Sequence, residues 1–251
     1  MGQLLKILTS PAWLLLCVVA VQSASAQNRY PAIEEAWDGT DYRAVVQRVQ
    51  KDGLALPTLA DAATKPVFER MVDADNIPLR MGLNTKLSAT IRFQRLDSAL
   101  DPIHKLVILY SNEMQKGKPY SAELARLMIY ESKVSGALLE LSEPVLAGLV
   151  NDKRYKNHVE NHNLIKNNAR ELYSWMVKGM TEPNVYSKPD ILKMVKGAIE
   201  GLPAYLPIFT DQDRQGLTQQ LTQQISATTD QELKTALTEL RDAIEHRRVR
   251  A

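Results

Sequence analysis

The stretch RYKNHVENHNLIKNNARELYSWMVKG, residues 154–179, carries the pattern on which the fold class turns. His158, His162, Ile165, Ala169, Leu172 and Met176 follow one another at alternating steps of four and three. That spacing stacks side chains on one face of an α-helix. The run holds no proline, and Gly179 stands where a helix C-terminus is expected. A single long helix over Arg154 to Lys178 is the reading.

The same period recurs on either side. Tyr42, Val45, Val46 and Val49 predict a helix from Asp41, closed at Gly53. Lys65 to Val72 predicts a short one, with Pro66 tolerated in its first turn. A helical pattern runs from Pro78 through Leu87, Ile91 and Leu96 to Leu100, where Asp101-Pro102 reads as the cap and first turn of a new helix ending at Gly117. Ser121 is expected to cap the next, through Leu124, Met128, Val134 and Leu138, with a break or kink at Ser142-Glu143-Pro144. Beyond a polar loop over Thr181 to Lys188, Ser187 should cap a helix over Pro189 to Glu200, leaving Gly201 to Pro207 irregular. Two last helices open at Thr210 and at Thr229, whose spacing to Glu232 matches a capping box. No stretch alternates long enough for a strand, and no Asn-Gly or Asp-Gly hairpin turn occurs. The fold class is therefore all-α, a multi-helix bundle (27–180) with a C-terminal helical extension (181–251) in the same domain or loosely hinged to it.

Composition agrees. Hydrophobic residues make up 45% and charged ones 24%, ordinary for a globular chain, while only 6% is aromatic. The core must then be mostly aliphatic and Met, which suits packed helices. A net charge of +2 gives no bulk attraction to nucleic acid.

The first residues point to export. Ala12 to Val21 are apolar, Lys6 precedes them, and Ala24-Ser25-Ala26 supplies small residues at a cleavage site. Together these read as a signal peptide over 1–26, with cleavage between Ala26 and Gln27. Ten apolar residues are too few for a stable membrane span, which needs about 20. The only cysteine, Cys17, falls inside that run, so the mature domain would be cysteine-free and its stability would rest on packing. Residues 27–251 also lack an Asn-x-Ser/Thr acceptor, which fits a periplasmic protein better than a eukaryotic secreted one.

Chemistry is sparse. His158 and His162 lie four apart on one helix face, the spacing that lets two imidazoles reach one metal ion. Glu160 sits between them and points elsewhere, so the metalloprotease motif fails on geometry. Glu131 occupies an inward register with Leu124, Met128 and Leu138, and a buried carboxylate needs a partner. A divalent-metal or acid–base site centred on His158, His162 and Glu131 is one expectation. Hydrogen-bonded or solvated histidines are the other.

No histidine follows a Glu by three, so a di-iron bundle is excluded, and no nucleophile elbow or phosphate loop occurs. Trp37, Trp175 and the tyrosines read as packing residues. Trp37 must dock on the bundle or stay exposed. Arg247, Arg248 and Arg250 offset the dipole of a helix end, and the glutamines at 219, 220, 223 and 224 read as an outer face. The function these features favour is non-enzymatic: an exported periplasmic or secreted module that binds a protein or an envelope component. An enzyme centred on the three named residues is the alternative.

Overall fold

The computed structural model describes residues 30–81, 86–182 and 185–246. The proposed signal segment with its Ala26–Gln27 junction, and the terminal arginines, lie outside them. Within the described residues the protein is an all-α bundle of nine α-helices and one 3-10 turn, with no strand. The helices are α1 (Gly39–Lys51), α2 (Lys65–Met71), α3 (Asn76–Leu79), α4 (Ala89–Gln115), α5 (Ser121–Gly148), α6 (Tyr155–Thr181), α7 (Lys188–Tyr205), α8 (Asp211–Ala227) and α9 (Gln231–His246). None is long and apolar enough to cross a membrane.

Helix α5 is the axis. It buries residues on nearly every side, from Leu124, Leu127 and Met128 to Val134, Leu138 and Leu141, and so cannot lie at the surface. Helices α4, α6 and α7 pack around it, while α1 leans on α4 and the α8–α9 hairpin closes against α6 and α7. One continuous apolar core runs from Tyr30 to Ile244, and it takes in the C-terminal helices as well as the earlier ones.

Three expected breaks are absent. Helix α4 passes through Pro102, α5 through Pro144, and α7 through Gly201 and Pro203 to Tyr205. A proline inside a helix deprives the carbonyl four residues earlier of its donor. At Pro102 that carbonyl belongs to Ser98, and the Arg43 guanidinium of α1 donates to it at 3.3 Å. Gly39, the first residue of α1, makes this approach possible, because a Cβ there would sit 2.5 Å from the Ser98 oxygen. Tertiary contact thus repairs what the local rule would break.

Smaller corrections follow the same logic. Gly179 does not close α6, which runs on to Thr181; it lets the Tyr186 ring approach, where a Cβ would meet it at 3.1 Å. Ser121 opens α5 without acting as a cap, since Tyr120 holds that position with no side-chain bond. At α9 the carboxylate of Asp230 accepts from the Leu233 N–H at 3.0 Å, the role expected of Thr229. The caps at Ser187 and Thr210 are as expected, and Gly53 ends α1 with a φ of 67°.

Trp37 docks. Its indole is 1% exposed and donates to the Ala32 carbonyl at 2.8 Å. Its backbone N–H donates to Asn76 Oδ1 at 2.8 Å, while the Asn76 amide donates to the Tyr42 hydroxyl and the Arg70 carbonyl. Tyr42 in turn meets Tyr130 of α5 at 2.7 Å. This buried polar chain ties the irregular N-terminal segment to the bundle axis, with every member satisfied.

Candidate functional site

Helices α4 and α6 flank α5 on the same side and scarcely touch each other. The gap between them is a groove floored by α5. Three hollows lie along it. The first is walled by Phe93, Leu146, His158 and His162, the second by His104, Glu131 and Trp175, the third by Ile108, Met128 and Tyr186. They adjoin one another: Asp97, Ile165 and Asn168 border the first and second, and Trp175 borders the second and third. From Leu124 to Leu149 the floor extends about 37 Å at the rise of an α-helix.

The rims carry apolar side chains that a bundle would normally cover. Leu164 is 57% exposed, Trp175 51% and Ile108 40%, and all three border the groove. Trp175 therefore does not have the packing role expected of it. Its ring lies 6.1 Å from that of His104, tilted by 30°, and the pair bridges the two walls.

Glu131 is buried at 2% exposure, as its register required. Its partner is His104 of α4, whose Nδ1 lies 2.8 Å from Oε1. The other oxygen, Oε2, is shut off from solvent and bonded to nothing in the protein. Burial raises the carboxyl pKa while the His104 contact opposes it. The same hydrogen bond, outweighing partial burial, raises the imidazole above its ordinary range. Nearby, desolvation and the charge of Asp101 hold the Asp97 carboxyl above the usual carboxylate value.

The inward stripe of α6 stands as expected, with His162, Ala169, Leu172 and Met176 buried. Its histidines, however, lie in the first hollow. His162 Nε2 is 2.8 Å from Ser142 Oγ. That hydroxyl gives its proton to the Leu139 carbonyl at 2.7 Å, so the imidazole is the donor in the His162–Ser142 bond. Burial, then the Lys166 charge, depress the His162 pKa. His158 presents a buried Nε2 with no partner.

The expected convergence of His158, His162 and Glu131 does not occur. Ser142, the partner of His162, is eleven residues beyond Glu131 on α5, about 16 Å along the axis. Among the described residues no three His, Cys, Asp or Glu side chains gather as a metal ion requires. The metal and acid–base expectation built on those three residues is accordingly withdrawn, and the hydrogen-bonded reading describes His162.

His104 was the residue missed in the sequence. It follows Ile103 by one, at the edge of the stripe made by Ile103, Leu106, Val107 and Tyr110. A flanking register lets an imidazole reach inward while staying half in water. The clue was Glu131 itself, which needed a donor.

No family model, curated protein or solved structure matches the chain.

Proposed function

We propose that this chain is an exported, non-enzymatic helical module whose α4–α6 groove receives a basic segment of a partner protein. The observation that carries the reading is the row of three adjoining hollows with Leu164, Trp175 and Ile108 standing exposed along it. Its length exceeds what a small ligand fills and matches a helix or extended peptide laid between two walls. Exposed apolar side chains grouped along one cleft mark interaction surfaces, whereas scattered ones need no explanation.

Charge supports a protein partner over a nucleic acid or an anionic lipid. Asp97, Asp101, Glu131 and Glu171 border the central hollow, and Glu182 the outer one. Among the described residues that border the hollows, Lys178 is the only Lys or Arg. Such a lining repels phosphate and attracts Lys and Arg. The signal-peptide pattern over 1–26 and the absence of thiols after Cys17 support a periplasmic setting.

Two measurements test the proposal. Expression in a Gram-negative bacterium, with fractionation and N-terminal sequencing, should give periplasmic protein beginning at Gln27; unprocessed cytosolic protein refutes the export part. Photocrosslinkers placed in cells at Leu164 and at Ile108 should trap the same protein. A crosslinker at Ser226, on the outer face of α8, should not. Equal labelling from all three positions refutes the groove.

A further inference from the structure

The central hollow is the most chemically specific part of the groove. A carboxylate oxygen in the interior is costly without a donor, and Glu131 Oε2 has none while its residue borders the hollow. His104 serves the other oxygen only. The remaining wall adds three more carboxylates, from Asp97, Asp101 and Glu171, and no Lys or Arg among the described residues. Lys105, which pairs with Asp101 at 2.7 Å, offsets one of them from outside. Over this acidic wall stands the half-exposed indole of Trp175. The volume is about 350 Å3, at the small end for ligand pockets.

We infer that the hollow between His104, Glu131 and Trp175 binds an organic cation, an alkylammonium or guanidinium group drawn to the Glu131 carboxylate and laid against the indole. Burial raises the Glu131 carboxyl, and burial with the Asp101 charge raises that of Asp97, so a cation seated beside them stabilises the ionised form of both. A bare metal ion fits poorly, because no three ligating side chains converge among the described residues. An aromatic face beside a desolvated carboxylate favours a cation carried on carbon. The cation has two sources, a free amine or a Lys or Arg side chain of the segment seated in the groove. The inference rests on the groove being the binding face.

Isothermal titration of the full 251-residue chain tests it, with agmatine as the free amine and a Lys-containing amphipathic peptide as the protein-borne one. The peptide is compared with its norleucine counterpart. At least one cationic probe should bind at or below about 1 mM. Glu131→Gln should weaken it by at least about tenfold, as loss of a hydrogen bond to a charged group does. Trp175→Ala should cost about threefold to tenfold. Asp97→Asn, on the rim, weakens binding without disturbing the core, and a thermal melt checks that each variant is folded. Glu200→Gln, which lies outside the groove, should change nothing. Agmatine binding assigns the site to free amines, and binding of the Lys peptide alone assigns it to a side chain; both support the inference. No binding of either probe overturns it, as does equal affinity in folded Glu131→Gln and Asp97→Asn. If the crosslinks from Leu164 and Ile108 persist in that event, the cation site falls and the groove stands.

Discussion

Replacing His104 by alanine probes the pair at the centre of the groove. In the native protein Glu131 Oε1 rests 2.8 Å from the imidazole, and the carboxyl is 2% exposed. His104→Ala leaves a buried carboxylate with no donor on either oxygen. Breaking a buried ion pair by deleting one partner costs about 3–5 kcal/mol. The imidazole, however, is 42% exposed, so water partly replaces it and the lower figure of about 2 kcal/mol for a hydrogen bond to a charged group applies. For a domain of this size that is a fall in Tm of about 4–8 °C.

The loss must depend on pH. His104 has a raised pKa when folded, so its contribution is complete below its ordinary value of 6.5 and fades as pH rises through the raised one. Glu131 is also raised, so the cost of burying its charge is absent below 4.5 and complete above the folded value. The gap between wild type and His104→Ala should therefore be widest near neutrality and shrink at about pH 4.5, where the carboxyl is protonated. Thermal melts by circular dichroism at both pH values measure it. His104→Ala/Glu131→Gln should recover most of the loss at pH 7. An equal fall in Tm at both pH values, or a double variant as unstable as the single one, would refute the reasoning.

Three other outcomes follow from the packing. Gly39→Ala should lower stability by about 2 kcal/mol, because its Cβ would meet the Ser98 carbonyl at 2.5 Å; an unchanged or higher Tm, the usual result of Gly→Ala in a helix, argues against the close α1–α4 approach. Asn76→Ala should cost about 2 kcal/mol in urea unfolding, since at a fully buried residue it removes the acceptor of the Trp37 N–H and one of the donors to the Arg70 carbonyl, which keeps the Asp73 N–H. A loss below about 1 kcal/mol would mean that water substitutes for the amide. Ser142→Ala removes the acceptor of the His162 imidazole, and NMR titration of that ring should show a further depressed pKa, because an acceptor bonded to Nε2–H favours the charged ring; an unchanged value contradicts the assigned bond.

What the sequence made legible was periodic. The stripe from His162 to Met176 and the inward place of Glu131 both follow from steps of three and four, and both are buried. Caps at Ser187 and Thr210 were legible for a similar reason, since the bond closes within three residues. The helix ends read from proline and glycine were not. Pro102, Pro144 and Gly201 all lie inside helices, and at Pro102 the compensating donor, Arg43, is fifty-five residues from the carbonyl it serves.

The site failed to be legible for the same physical reason. Periodicity says that Glu131 faces inward, but not which helix faces it. Two histidines on one face drew the assignment to α6, because a pair at helical spacing is visible along the chain. The true partner is single, comes from α4, and sits one residue off the buried stripe. A flanking position is what the role requires: a side chain wholly inside would close the hollow, and one wholly outside would leave the carboxylate bare. Half burial lets His104 satisfy one oxygen of Glu131 while the other is left without a donor in the protein, and it brings the ring against the exposed face of Trp175. The groove is thus most informative where the helical pattern is weakest, between α4 and α6, whose side chains meet across a gap that their own sequences do not describe.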